Sequence, residues 1–159
     1  MNVRSWLMVG LLAVAMVGTG CSRVDPSIVA QAEGEADAAE GDAIGVSAAE
    51  AGIAYEDTQL EAPANTEFVV SFVNPAATPH NWVLVEPGEE EAVVEAAQQQ
   101  GEEAQGLEGV IAATPVIASA DETVSVPALD PGEYTYVCTV TGHYAAGMHG
   151  TLIVGEPGS

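Results

Sequence analysis

The chain has no lysine, and its only arginines, Arg4 and Arg23, lie near the start of its 159 residues. All 24 acidic residues follow Arg23, so most of the chain carries fixed negative charge and no fixed positive charge. That balance excludes nucleic-acid binding, which needs basic side chains against phosphate. It also disfavours anionic lipid headgroups and favours, by long-range steering, a protein partner with a basic docking face. Salt adaptation or plain solubility would give the same bias. Sulfur is scarce too. Cys21 and Cys138 are the only cysteines, too few for a disulfide framework, and each has a separate explanation. The methionines are Met1, Met8, Met16 and Met148, and the histidines His80, His143 and His149. The N-terminal apolar run, Trp6 to Val17, falls short of the roughly 20 residues that cross a bilayer. No internal repeat is present.

Residues 1–20 read as a secretory signal: Arg4 gives a thin positive start and Trp6–Val17 the apolar centre. Gly18-Thr19-Gly20-Cys21 resembles a lipoprotein cleavage box, in which small residues let a peptidase reach the backbone and acylated Cys21 becomes the new N-terminus. Several acyl chains on one residue anchor stably, whereas one does not. Plain secretion is the alternative. Residues 21–45 are rich in Ala, Glu, Asp and Gly, with no aromatics. They cannot bury enough surface to offset ordering entropy, so they read as an acidic flexible tether, with a reach of about 25–30 Å. Such a tether places the domain outside the cytoplasm, periplasmic or on the outer face of the cell membrane.

Residues 46–159 change texture. Short β-type runs recur: GIAYE, TQLEAP, TEFVVSFVN, NWVLVE, ETVSVPAL, EYTYVCTV and TLIVG. Phe68, Val70 and Phe72 alternate against Val69, Ser71 and Val73. Turn chemistry separates the runs at Asn74-Pro75, Pro87-Gly88, Asp130-Pro131-Gly132 and Gly155-Glu156-Pro157. This pattern predicts an all-β Greek-key sandwich or barrel. One segment departs from it. At about 89–103 acids fill a first turn, Val93, Val94, Ala96 and Ala97 form an apolar face, and Gly101 can stop a helix. The stretch as far as Thr114 reads as a helical flap.

With the three N-terminal methionines in the cleaved segment, the domain offers one cysteine, one methionine and three histidines. Cys138, His143 and Met148 sit in the run CTVTGHYAAGM, and His80 opens PHNW far upstream. Taken singly, each has an ordinary structural explanation: a small buried thiol, a turn histidine, a core methionine. Jointly, the loop is long enough to curl round one ion while a strand pins each end, and His80 can approach from a neighbouring strand. One thiolate, two imidazoles and a thioether suit copper cycling between Cu(I) and Cu(II). Structural zinc prefers four Cys/His ligands. A dinuclear copper centre would need a second cysteine in the loop.

The segments PHNWVLV and GEYTYVCTVTGHYAAGMHGTLIV resemble the cupredoxins, the blue copper proteins of the plastocyanin/azurin family. The four-residue gaps on either side of His143 are most similar to the auracyanin branch. The likeness spans about residues 46–156. It implies one type 1 copper ion per chain, held by Cys138, His80 and His143 in a trigonal plane with Met148 as the weak axial ligand. It further implies an axial approach of the Pro79 carbonyl. It implies that Asn81 ties the first ligand strand to the cysteine loop, and that electrons pass at His143 beside Tyr144, Ala145 and Ala146. Trp82 and Tyr136 are expected to pack the loop from within, and His149 to be an exposed bystander.

These features point to an exported electron carrier, not an enzyme. Its expected donor is a membrane oxidoreductase and its acceptor a cytochrome or reaction centre, in photosynthetic or respiratory transport. A copper store or chaperone is the alternative, but such proteins expose Met- or His-rich sites. A multicopper oxidase or nitrite reductase domain would need further histidines for a second copper centre.

Overall fold

The computed structural model describes residues 43–155. The signal-like segment, Cys21 and the tether before residue 43 lie outside them. Among the described residues no helix is long and apolar enough to cross a membrane. Eight strands and one helix follow in order: β1 (Ile44–Ser47), β2 (Gln59–Pro63), β3 (Phe68–Asn74), β4 (Val83–Val85), α1 (Glu90–Gln99), β5 (Val110–Ala113), β6 (Ala120–Val126), β7 (Gly132–Val137) and β8 (His149–Gly155). They form two sheets, one ordered β1-β3-β6 and the other β2-β8-β7-β4-β5. This is the predicted all-β sandwich with a helical insertion.

Alternation builds the core. Phe68, Val70, Phe72 and Asn74 of β3 are buried, while Val69 and Ser71 are half-buried and Val73 is exposed. The inward residues meet Leu60, Trp82, Leu84, Tyr136, Cys138, Met148, Leu152 and Val154 across the sandwich. β4 is buried at all three positions because its sheet is covered on both faces. Leu84 faces the sandwich, whereas Val83 and Val85 join Val137 beneath Val93, Val94 and Ala97 of α1. The helix thus fills the outer face of the sheet that carries the cysteine strand. Gly101, at φ 90°, ends it, and the Glu102 N–H donates to the Ala97 carbonyl at 2.7 Å, the bond pattern of a left-handed C-terminal cap.

Three local expectations need correction. Ile44 and Gly45, at the expected end of the tether, already pair with Val70 and Ser71 of β3. The run GIAYE forms no strand; Tyr55 alone makes an isolated bridge to Ala48. The stretch from Gly101 to Thr114 is not helical throughout. Glycines at positive φ, Gly106 and Gly109, turn the chain, and Val110–Ala113 pairs with β4, where β-branched residues fit a pleated surface.

Candidate metal centre

The cysteine loop hangs between two paired strands. β7 ends at Val137 and β8 opens at His149, and these two residues are register partners. The Cys138 N–H donates to the Met148 carbonyl at 3.1 Å, and the Met148 N–H to the His143 carbonyl at 3.0 Å. Gly142 (φ 84°) and Gly147 (φ 99°) make the left-handed bends on either side of His143 and its neighbours, a conformation a β-carbon disfavours. Just ahead of β4, the strand that pairs with β7 on its other edge, comes His80. Its N–H and carbonyl both bond Ile117, each at 2.9 Å, which fixes the backbone just ahead of β4.

Three donor atoms converge. His80 Nδ1 and His143 Nδ1 are 3.2 Å apart, Cys138 Sγ lies 3.5 Å from His143 Nδ1, and it lies 4.0 Å from His80 Nδ1. This triangle is acute, so the point equidistant from its corners lies inside it. That distance is about 2.1 Å, close to the roughly 2.0–2.3 Å of a metal bond to imidazole or thiolate. Met148 is fully buried in the same cluster. His80 and Cys138 are sealed from solvent, and His143 alone keeps a little exposure, 6 %.

The protonation states suit a cation. Burial, and then the neighbouring His143, lower His80 to about 4. His143 is also lowered by burial, against the Glu102 carboxylate, which raises it. Both imidazoles are therefore neutral near pH 7, and two lone pairs aimed at one point repel unless a cation or proton lies between them. Burial pushes the Cys138 thiol up to about 11, although the Asn81 and Val140 backbone N–H groups act the other way. A thiolate here needs a positive charge beside it, and metal binding supplies that. The donor set and its spacing fit a single type 1 copper site.

Behind the donors stands a hydrogen-bonded frame. Asn81 Nδ2 donates to Thr139 Oγ1 at 2.8 Å, and the Thr139 N–H donates to Asn81 Oδ1 at 2.9 Å. Tyr55 donates its hydroxyl to the Asn81 carbonyl at 2.6 Å. Trp82 and Tyr136 are both fully buried, with ring centroids 5.8 Å apart. Tyr144 is half-buried, whereas Ala145, Ala146 and Gly147 are exposed beside it. Pro79 and His149 are exposed, and the His149 ring lies 5.5 Å from Tyr144. Sequence reasoning missed Thr139, Thr141 and Glu102. The Thr141 N–H donates to Glu102 Oε1 at 2.8 Å and Thr139 Oγ1 donates to the Glu102 carbonyl at 2.5 Å, contacts between segments far apart in the chain that leave no local signature.

Residues 43–155 match the copper binding proteins of the plastocyanin/azurin family. The chain is similar to Auracyanin-B of Chloroflexus aurantiacus, 38% identical over 120 residues, covering 69% of this chain and 50% of that one. It thus spans about half the length of that relative. A solved structure of auracyanin B gives a TM-score of 0.65 at 37% identity, covering 71% of this chain and 88% of the other. Auracyanin-A of the same organism is 38% identical over 111 residues, 64% of this chain and 67% of that one. Its structure, described as that of a "blue" copper protein from a green thermophilic photosynthetic bacterium, gives a TM-score of 0.61 at 34% identity, covering 71% and 98% of the two chains.

Proposed function

The chain belongs to the plastocyanin/azurin family of copper-binding proteins, and from that membership we propose that it carries single electrons between redox proteins. The observation that carries this reading is the convergence of one thiol and two neutral imidazoles on a point about one metal bond length from each. Cys138, His80 and His143 would hold the ion, with Met148 as a weak fourth ligand and the Pro79 carbonyl as the further oxygen that the family likeness implies. Copper supplies one-electron chemistry there, since thiolate, imidazole and thioether together suit both of its oxidation states.

The protein's part is to keep that site dry and still. Burial of Cys138, His80 and Met148 excludes water. The β7–β8 pairing and the Asn81–Thr139 bonds hold the loop ends, so a change of charge moves little. His143 is the port, and the small exposed residues Ala145 and Ala146 beside Tyr144 let a partner approach closely. A membrane oxidoreductase as donor and a cytochrome or reaction centre as acceptor, with basic docking faces, suit an acidic carrier. The auracyanin likeness favours photosynthetic over respiratory transport. Export and acylation at Cys21 would keep the domain on the outer face of the membrane.

Visible and electron paramagnetic resonance spectra of the copper-loaded chain test this reading. An intense thiolate-to-copper band, lost in Cys138→Ala, is the expected result; a colourless protein after cupric loading overturns it. Slow copper transfer to a chelator distinguishes a carrier from a copper store. Mass spectrometry of the native N-terminus decides between acylated Cys21 and plain secretion.

A further inference from the structure

Helix α1 ends in an unusual pair. Gly101 is left-handed, as its lack of a β-carbon allows, but the next residue, Glu102, is left-handed too, at φ 77°. A non-glycine residue in that region is strained, and such strain persists only where the surroundings hold it. Here the surroundings are the metal loop. The Glu102 carbonyl accepts from Thr139 Oγ1 at 2.5 Å, and its carboxylate accepts from the Thr141 N–H at 2.8 Å. Thr139 follows Cys138 directly, Thr141 precedes His143 by two, and Thr139 Oγ1 also accepts from Asn81, the neighbour of His80. One residue of the insertion therefore reaches the neighbours of three donors. The adjacent Glu103 carboxylate accepts from the Val116 N–H at 3.3 Å, next to the Ile117 that holds the His80 backbone.

We propose that Glu102 is a positioning residue for the metal centre. Its carbonyl and carboxylate clasp the cysteine loop to the end of α1, and the carboxylate keeps a negative charge beside the donor set. The Thr141 N–H that the carboxylate accepts from lies two residues before His143, so the charge stands close to the donor set. A negative charge there favours the more positive oxidation state of an ion held at the site. The left-handed backbone turns the side chain onto the loop, which a glycine at this position could not do. The inference rests on the copper reading for its charge effect, but the clasp itself is independent of the ion.

Glu102→Gln and Glu102→Ala in the full chain separate the two effects, because the amide of Gln still accepts from Thr141 but carries no charge. In the copper-loaded protein, both variants should shift the redox equilibrium about three- to tenfold toward the cuprous form, the scale of one partly screened charge. Hydrogen exchange of the Thr141 amide should quicken about tenfold or more in Glu102→Ala, with or without copper, and change less than about threefold in Glu102→Gln, the scale of one lost charge-assisted hydrogen bond. An unchanged redox equilibrium in Glu102→Gln overturns the charge effect, and unchanged Thr141 exchange in Glu102→Ala overturns the clasp. If the unmutated chain shows no thiolate band, the copper reading fails and takes the charge effect with it, while Thr141 exchange in the metal-free protein still decides the clasp.

Discussion

Asn81 and Thr139 hold each other by two hydrogen bonds, one in each direction, at 2.8 and 2.9 Å. Each is the immediate neighbour of a sulfur or nitrogen donor, so this pair joins the His80 segment to the cysteine loop. Asn81→Ala removes both bonds and leaves the buried Thr139 N–H without its partner. The expected cost is about 1–3 kcal/mol in the metal-free protein. Copper should dissociate about 10–100-fold faster, the usual scale for losing a supporting contact behind a metal ligand. Urea unfolding and chelator competition measure the two effects, and unchanged copper dissociation would show that the loop holds its shape without this tie.

Gly150 lies under the Tyr136 ring. A β-carbon there would overlap the Tyr136 hydroxyl and stand 2.7 Å from the Thr58 carbonyl. Gly150→Ala should therefore destabilise by about 1–3 kcal/mol or more, as overpacking of a close-packed core does. Denaturant unfolding measures it. Adding Tyr136→Phe should recover only part of the loss, because the ring carbon and the Thr58 backbone remain in the way. Full recovery would mean that the hydroxyl alone sets the space.

Tyr55 and Tyr136 are both held above the usual tyrosine range, in each case first by burial. Their protonated forms are the ones the fold accepts. A tyrosine raised in this way adds stability that is complete below the unfolded value of about 10 and declines as pH rises past it. Alkaline titration of the metal-free protein should show both phenols ionising late and together with unfolding. Early, independent ionisation of either in Tyr55→Phe or Tyr136→Phe backgrounds would contradict the burial described here.

Trp82 is fully buried and its indole Nε1–H has no hydrogen-bond partner. Its surroundings are apolar side chains of the sandwich. Its fluorescence should therefore be shifted to the blue relative to a solvated indole, and this component should be lost in Trp82→Phe, leaving only that of Trp6 where the N-terminal segment is retained. If the emission lost in Trp82→Phe has the maximum of solvated tryptophan, water reaches the core beside the metal loop.

The cysteine loop was readable from the letters because a strand bounds each end and its donors lie within eleven positions, Cys138 to Met148. The helix was readable as well, since acids, an apolar face and Gly101 agree on one element. Strand β1 was not. Its four residues, IGVS, lie at the end of an Ala- and Glu-rich stretch and become a strand only by pairing with β3. β5 was hidden for a related reason: Val110–Ala113 is short and follows a helix, and its conformation is imposed by β4. The frame around the donors was half visible. Asn81 followed from a family likeness, whereas Glu102 meets its partners 37 and 39 residues away, a distance over which local pattern carries no information.

Parallel pairing of β2 with β8 sets Leu60 beside Leu152. The early strand has no neighbour in its sheet until the last described strand exists, so the second sheet is closed late in chain growth and by contacts of high sequence separation. Such topologies fold slowly. The metal pocket is therefore completed only once β8, which follows Met148 and pairs with both β2 and β7, has been made. An ion can be enclosed only after that last pairing, so metal uptake comes at the end of folding and not at its start.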